Sequence, residues 1–134
     1  MGSRALKLLL DTHVWLWRHV APTRLRPRVR QALDDPANEC WLSPISVWEL
    51  STLARKRRIV LDRELRAWVA AAREEVPWRE AVLNFEVALA ADRLLMHADP
   101  ADRFLAATAQ VYGLTLVTAD QQLMRLESID HLAN

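Results

Sequence analysis

Residues 5–11 have the sequence ALKLLLD, and this stretch decides the predicted fold because a short apolar run ends in it at a single carboxylate. A run of this length without helix caps favours a buried strand over a helix. Residues 114–120, LTLVTAD, repeat the pattern near the other end of the chain, with Asp120 just beyond the run. Both stretches are therefore predicted to be buried strands, and each leads directly to an aspartate.

Helix start signals lie between these two strands. Ser43 and Asp99 are each followed by a proline, which combines a capping side chain with the residue preferred at the first helical position. The helix after Ser43 is predicted to run to about residue 57, and the helix after Asp99 to close at Gly113, a typical C-terminal cap. Weaker signals predict helices over 12–18, 23–34, 62–74 and 84–95, with Thr12 and Asp62 as caps. Strands are predicted over 39–42 and 80–83. A last short helix is expected after the final strand, followed by an irregular tail.

The alternation of strands and helices predicts an α/β fold with a central parallel β-sheet flanked by helices on both faces. The chain has 134 residues, of which 51% are hydrophobic and two are glycine, so residues 1–134 are predicted to form a single domain. Its apolar runs are shorter than the about twenty residues that a membrane-spanning helix needs, so we expect a cytoplasmic protein with no membrane partner. Cys40 is the only cysteine, which excludes an intrachain disulfide and predicts a small buried side chain.

The charge distribution is informative although the formal net charge is only +1. A balance so near zero gives no argument for a nucleic-acid partner. Lys7 and Lys56 are the only lysines, so nearly all the positive charge is arginine, whose planar fork suits phosphate. Residues 55–58, RKRR, form one local basic patch, which fits a solvated helix end as well as a phosphate contact.

Three acids lie next to apolar segments, two at predicted strand ends and one on a predicted apolar helix face. Asp11 and Asp120 follow strands, and parallel strands end at the same edge of a sheet, where open α/β sheets place their ligands. Glu49 is spaced four residues from both Ile45 and Leu53, so on a helix it shares their apolar face. Burying an unpaired carboxylate there costs several kcal/mol, which predicts either an arginine partner or a metal ion.

Asp99 and Asp102 lie at the cap and in the first turn of one helix. An aspartate cap and an acid in the first turn stabilise a helix by about 1 kcal/mol without any catalysis. Asp102 is also aligned with Leu105 and Ala106, one turn further along the apolar face, which directs it towards the sheet edge. Capping and participation in a site are therefore both open for this pair.

Several carboxylates around one cavity repel one another unless a cation neutralises them. Hard oxygen ligands without a histidine or cysteine cluster favour Mg²⁺ or Mn²⁺ over zinc. Such a site typically activates water and stabilises charge on a phosphoryl group. The residues by themselves thus predict a metal-dependent phosphoryl-transfer site.

Four segments resemble the PIN domains of VapC toxins. They are LLLDTHVWLW (8–17), SPISVWEL (43–50), HADPADRFLAATA (97–109) and LTLVTAD (114–120), in the family's order. The resemblance implies the sheet and helices expected above and an endoribonuclease that uses Mg²⁺ or Mn²⁺. The acids that match the family's motif, as catalytic residues and metal ligands, are Asp11, Glu49, Asp102 and Asp120. Asp99 is an additional acid, first a cap and second a support; Ala101 and the short tail depart from the pattern.

The resemblance also implies the chemistry. Water attacks a backbone phosphorus in line and the 3′ oxygen leaves, so the products carry 5′-phosphate and 3′-hydroxyl ends. Three hydroxyls next to the acids are supporting candidates that either orient water and ligands or serve the fold: Thr12, Ser46 and Thr118.

Three further side chains near the acids have more than one interpretation. Arg103 would contact phosphate or pair with an acid. His13 and His97 would donate protons, contact RNA, or be ordinary solvated histidines.

The family resemblance implies two protein partners, a second copy of the chain in a homodimer and a VapB-type antitoxin in a complex of the pair or a higher assembly. Such antitoxins lay a helix into a hydrophobic groove. Trp15, Trp17 and Trp48 are candidate contacts, and the alternative is that the tryptophans pack in the core.

Three other interpretations compete with this one. A phosphoacceptor receiver domain would need paired acids after the first strand and a late lysine, and a haloacid-dehalogenase-type phosphatase would need an acid where His13 stands. Neither pattern is present. A catalytically inactive PIN-like module that binds RNA or protein stays open, although the presence of all four acids argues against it.

Overall fold

The computed structural model describes residues 5–94 and 99–134, and in these residues the strands form one five-stranded sheet. The strands are β1 (Lys7–Leu10), β2 (Glu39–Leu42), β3 (Arg79–Glu80), β4 (Thr115–Thr118) and β5 (Asp130–Ala133). The helices are α1 (Thr12–Val20), α2 (Pro27–Asp34), α3 (Pro44–Arg55), α4 (Leu65–Glu75), α5 (Phe85–Arg93), α6 (Pro100–Tyr112) and α7 (Gln121–Met124), with a 3₁₀ turn at Pro22–Arg24. None of the described helices is long and apolar enough to cross a membrane.

The sheet has the order β3-β2-β1-β4-β5, and every neighbouring pair is parallel. Successive side chains of a strand point to opposite faces, and β1 shows the consequence, because Leu8 and Leu10 join one buried cluster and Leu9 joins another. The first cluster packs α1 to α4 on one face, and the second packs α5 to α7 on the other. The predicted fold class, a parallel sheet between two layers of helices, is confirmed.

Trp15 belongs to the core of the first layer. Its indole is fully buried and makes edge contacts with Trp68 and Trp78 at ring distances of 5.3 and 5.5 Å. For Trp15 the alternative interpretation, packing in the core, is therefore confirmed, and Trp15 is not a candidate partner contact. Cys40 is buried as predicted, and burial raises the pKa of its thiol to about 11.

The two proline-led helices begin where the sequence predicts. The Ser43 hydroxyl accepts a hydrogen bond from the backbone N–H of Ile45 (3.1 Å), and the Asp99 carboxylate accepts one from Asp102 (2.9 Å). Gly113 closes α6 in the left-handed conformation with φ at 65°, which other residues adopt only with strain. Side-chain caps therefore locate these helix ends from local sequence.

Other helix boundaries differ from the predictions. Residues 23–34 form the 3₁₀ turn and α2 rather than one helix, because Arg26 precedes Pro27 and adopts extended backbone angles. The helix predicted from Asp62 begins at Leu65, and Glu64 caps it by accepting from the N–H of Ala67 (2.9 Å). Asp62 instead pairs with the adjacent Arg63 at 3.2 Å.

Thr12 is the first residue of α1 and not its cap, and the Asp11 side chain at the cap position makes no capping hydrogen bond. The strand predicted over 80–83 is shorter and covers Arg79–Glu80. The tail predicted to be irregular contains β5, which pairs in parallel with β4. Its residues, DHLA, lack the apolar run that marked β1 and β4.

Candidate active site

Asp11 and Asp120 lie side by side at the carboxyl edge of the sheet. Asp11 directly follows β1, Asp120 follows β4 by two residues, and the two strands are neighbours. An open cavity of about 440 Å³ lies at this edge. Its lining residues are Asp11, His13, Trp17, Glu49, Asp99, Asp102, Ala119 and Asp120. All four acids predicted as catalytic are brought together there, with Asp99 as a fifth.

A buried threonine connects the two aspartates at the strand ends. Thr118, the last residue of β4, donates from Oγ1 to Asp11 Oδ2 at 2.7 Å and accepts from the backbone N–H of Asp120 at 3.0 Å. Its side chain is inaccessible to solvent. Thr118 therefore orients the Asp11 carboxylate and fixes the turn that carries Asp120.

Two further buried hydroxyls, those of Thr12 and Ser46, lie next to Glu49. Thr12 Oγ1 donates to Glu49 Oε1 at 2.5 Å and lies 3.0 Å from Ser46 Oγ. Thr12 is on α1 and the other two are on α3, one turn apart, so these contacts join the helices at the cavity. Both hydroxyl-bearing residues are buried and neither lines the cavity. Thr12 contacts Glu49 directly, and Ser46 contacts Thr12.

Three acids of the cavity lie at helix N-termini: Asp99 and Asp120 are the N-caps of α6 and α7, and Asp102 is in the first turn of α6. Asp99 caps α6 through the N–H of Asp102, which leaves the Asp102 carboxylate in the first turn and on the cavity wall. Asp120 caps α7 by accepting from the N–H groups of Gln122 (2.8 Å) and Leu123 (3.4 Å), a role that the sequence analysis missed. The signal was an acid immediately before a short helix.

Arg103, the side chain next to Asp102, donates to the carbonyls of Ala91 (2.7 Å) and Leu94 (3.1 Å). It thereby ties α6 to the end of α5, and it is not among the residues that line the cavity. His13 is exposed and lines the cavity, whereas His97 lies outside the described residues.

Burial in the cavity raises the pKa of three of its carboxyl groups, those of Asp11, Glu49 and Asp102. Burial raises the pKa of Asp102 to about 7, and the negative charges around it add to the shift, namely those of Asp99, Asp11, Asp120 and Glu49. Burial also raises the pKa of Asp11 and of Glu49, while the hydrogen bonds from Thr118 and Thr12 oppose the shift. Positive charge in this cavity would restore the ionised forms.

The donor set fits a hard divalent cation, since carboxylate oxygens are the ligands that Mg²⁺ and Mn²⁺ prefer. In residues 5–94 and 99–134, however, no three His, Cys, Asp or Glu side chains converge closely enough to form a ligand group. The acids share one cavity without meeting at one point. Binding of an ion would therefore involve rotation of their side chains towards it.

Trp17 also lines the cavity, and the sequence analysis did not assign it there. The signal was its spacing: His13 and Trp17 are one turn apart on the helix that begins beside Asp11. Trp48, in contrast, is on α3 with 59% of its surface exposed and does not line the cavity.

A larger cavity of about 620 Å³ lies between α3 and α4, and we call it the α3–α4 groove. Its lining includes Pro44 and Val47 on α3, Val69 and Ala70 on α4, and Trp78. The charged residues of its lining are two arginines and two glutamates, Arg66, Arg73, Glu74 and Glu80, so it lacks the excess of negative charge of the acidic cavity.

The chain is similar in sequence to a known protein family and to a ribonuclease of similar length. A family model described as PIN domain matches residues 8–129. Ribonuclease VapC22 of Mycobacterium tuberculosis is 37% identical over 118 residues, which cover 87% of this chain and 88% of that protein.

Two solved structures illustrate the similarity in fold. VapBC2 from Rickettsia felis, bound to a DNA fragment from the promoter of the pair, superposes with a TM-score of 0.69 at 14% identity, covering 96% of this chain and 98% of that one. FitAcB from Neisseria gonorrhoeae superposes with a TM-score of 0.66 at 23% identity, covering 95% of this chain and 96% of that one. At such identities the likeness concerns the fold.

Proposed function

This chain belongs to the PIN domain family, in the branch of the VapC ribonucleases, and we propose that it is a metal-dependent endoribonuclease, the toxin of a toxin–antitoxin pair. The observation that carries the proposal is the arrangement of Asp11, Glu49, Asp102 and Asp120 around one open cavity. Their positions on four separate elements make a chance cluster of helix caps a poor explanation. We also propose that residues 1–134 form one PIN domain.

The acids are proposed as ligands of Mg²⁺ or Mn²⁺. A bound divalent ion would supply the positive charge that an RNA phosphate needs in this cavity, and it would increase the acidity of water. One oxygen of Asp11 and one of Glu49 accept hydrogen bonds from Thr118 and Thr12, which keep both carboxylates at the cavity. The raised pKa values of Asp11, Glu49 and Asp102 support a cation as the occupant, since burial first and neighbouring negative charges second disfavour their ionised forms.

In the proposed reaction, water attacks the phosphorus of a backbone phosphodiester. A bond forms between phosphorus and the water oxygen while the bond to the 3′ oxygen breaks, and a proton ends on that oxygen. The products are a 3′-hydroxyl and a 5′-phosphate. The chain's own part is to orient water and phosphate with the carboxylates and to accept the proton that water loses.

The proposed protein partner is a VapB-type antitoxin. The R. felis neighbour is a VapBC complex, which supports such a partner for this chain. We assign the antitoxin to the α3–α4 groove, because its apolar lining suits a hydrophobic helix face. Helix α3 contributes Val47 to the groove and Glu49 to the acidic cavity, so a partner in the groove contacts the helix that positions a catalytic candidate.

Self-association is the second proposed contact. Helix α5 exposes Phe85 (88%) and Leu89 (60%), and Val82 lies just before it at 49% exposure. Adjacent large apolar side chains in solvent are typical of protein interfaces. We propose a homodimer through this face, and Phe85→Glu should convert it to a monomer in light scattering at matched concentration. A Phe85→Glu variant that stays a dimer would place the dimer interface on another surface, and a wild-type protein that is a monomer would contradict the homodimer.

The first experiment is cleavage of labelled total RNA and a transfer-RNA pool by purified, antitoxin-free protein. Reactions contain Mg²⁺, Mn²⁺ or EDTA, with Asp11→Asn as the test variant and Asp92→Asn as the matched control. Asp92 is an exposed acid of α5 that does not line the cavity. We expect cutting with either metal, loss in EDTA and in Asp11→Asn, and normal cutting in Asp92→Asn.

Two outcomes would contradict the proposal. Cutting by Asp11→Asn at the wild-type rate would remove the acidic cavity from the mechanism. Folded protein that binds RNA but cuts neither pool with either metal would favour an inactive PIN-like binding module.

A further inference from the structure

Trp17 forms part of the acidic cavity's wall but takes no part in the hydrogen bonds among its acids and hydroxyls. The indole is partly buried and packs on one side against the core cluster under α1. The exposed His13 ring lies 5.6 Å from it, centre to centre, and the Arg24 guanidinium lies over it at 5.0 Å from the ring centre. Two aromatic rings and a cation thus stand together beside the carboxylates.

The local sequence explains why these three side chains meet. His13 and Trp17 are four residues apart on α1, so they share a face of the helix. Arg24 ends the 3₁₀ turn that follows α1 and returns the chain to this face. Because α1 begins beside Asp11, this face is anchored at the strand end that carries the first acid.

Arg24 carries a charge that no acid neutralises within the described part of the chain. Arg18, on the same helix as Trp17, pairs with Asp34 at 2.8 Å and with Glu75 at 3.2 Å. Arg24 is exposed, and its side chain forms no such ion pair with a described carboxylate. A guanidinium over an aromatic face still has N–H groups in its own plane for a phosphate.

We propose that Trp17, flanked by His13 and Arg24, is a binding wall for one nucleotide of single-stranded RNA. The base stacks on the outer side of this wall, against the exposed His13 ring and the Arg24 guanidinium that Trp17 supports from beneath, and the guanidinium N–H groups contact a neighbouring phosphate. This inference rests on the proposed function in that it names the RNA class that reaches the acidic cavity. A base inside a duplex is already stacked, so the wall selects unpaired segments such as loops and ends.

A second tryptophan of the same chain provides a matched control. Trp41 is also partly buried, with the Tyr112 ring at 5.7 Å and the Arg79 guanidinium at 5.9 Å from its ring centre. It lies on β2 and does not line the acidic cavity. Trp41→Leu therefore removes a similar aromatic and cationic cluster from a place where no RNA contact is expected.

The test measures binding of a short fluorescein-labelled single-stranded RNA by anisotropy, in Mg²⁺ and in an Asp11→Asn background that does not cut. We expect Trp17→Leu to weaken binding by about 5- to 150-fold, the loss of one stacked base. Trp17→Phe keeps an aromatic face and should retain most of the affinity, and Trp41→Leu should match the parent. Equal affinities of folded Trp17→Leu and the parent would overturn the inference, as would a parent that binds no single-stranded RNA.

Two further measurements separate RNA contact from a role in folding. A single abasic nucleotide, moved along the RNA, should weaken binding to the parent at one position and have no effect there in Trp17→Leu. Arg24→Gln, at an exposed position, should lower the slope of log Kd against log salt by about 0.7. The proposed binding wall would be contradicted if the abasic nucleotide had the same effect on the parent and on Trp17→Leu. It would also be contradicted if Arg24→Gln left the slope of log Kd against log salt unchanged.

The same data distinguish the two proposals. If wild-type protein cuts RNA while all Trp17 variants bind and cut like it, the wall is wrong and the nuclease stands. If the binding pattern is as expected but the wild-type protein cuts nothing, the wall stands and the nuclease proposal fails.

Discussion

The acidic cavity and the α3–α4 groove are both built partly from α3, yet one has an excess of negative charge and the other a largely apolar lining with balanced charges. The cavity has five carboxylates, two of them held by hydrogen bonds from buried threonines, and raised pKa values. The groove has mainly apolar side chains. One helix can serve both because its side chains at positions 47 and 49 point in nearly opposite directions. The difference indicates separate tasks, charge chemistry in one and partner binding in the other.

The strongest way to test this division is to damage the cavity alone. Asp120→Asn removes one carboxylate charge while keeping an oxygen that can cap α7. We expect RNA cutting to fall at least about 100-fold, because a metal ligand and its charge are lost. Affinity for the co-expressed antitoxin, measured by calorimetry, should stay within about threefold of wild type. A parallel loss of antitoxin binding would mean that the two regions are not separate.

The reverse experiment damages the groove alone. Ala70→Glu places a charge on the groove wall at an exposed position of α4, and Ala67→Glu places the same charge on α4 outside the groove lining. We expect Ala70→Glu to weaken antitoxin binding by on the order of 30-fold, since a charge would be desolvated against an apolar partner. Cutting by free toxin should be unchanged. Equal effects of the two variants would place the antitoxin elsewhere.

A smaller effect should follow when the support of an acid is removed without changing the acid. Thr118→Val keeps the shape of the side chain but loses both the hydrogen bond to Asp11 and the one from the Asp120 N–H. We expect cutting to fall by about 10-fold, in the range found for residues that orient metal ligands. Thr108→Val is the control, because Thr108 is equally buried but bonds to the Phe104 carbonyl of its own helix. A control loss as large as that of Thr118→Val would indicate general destabilisation.

The smallest predicted effect concerns stability and pH. Folding raises the pKa of Asp102 from 3.8 to about 7, so between these values the folded protein binds more protons than the unfolded chain. The free energy of unfolding of the metal-free protein therefore falls as pH rises through this window. In EDTA the Tm should be higher at pH 5 than at pH 8 by on the order of a few degrees. Asp102→Asn should reduce that difference, and an identical pH dependence in both proteins would refute the assignment.

Much of the cavity was predictable because several of its acids stand where a strand ends or a helix begins, and short sequence patterns mark those positions. Asp11 and Asp120 follow apolar runs, and Asp99 precedes a proline that starts a helix. In a parallel sheet the carboxyl ends of the strands lie at the same edge. Two local patterns therefore predict that Asp11 and Asp120 are neighbours, although more than a hundred residues separate them along the chain. Glu49 was predicted from its place on an apolar helix face. The metal-ligand roles of these acids stay predictions.

The missed features share a different property, since they depend on contacts between distant segments. The DHLA segment is a strand because the edge of β4 is available to it, and its own sequence has no strand pattern. Residues 23–34 have helical composition, but Pro27 restricts the residue before it and divides the segment. Trp15 and Trp17 look alike in sequence, and only packing puts the first in the core and the second on the cavity wall.

The sequence by itself determined the fold class, the two capped helices and the identity of the acids, because periodicity, caps and strand ends are short-range signals. Only the tertiary structure decided which hydroxyls hold which acids, where Trp17 meets Arg24, and that Glu49 and Asp102 share a cavity with the strand-end aspartates. The physical reason is that hydrogen bonds and buried charges depend on distances of a few ångströms between separate elements. Those distances are set by how the two helical layers pack on the sheet.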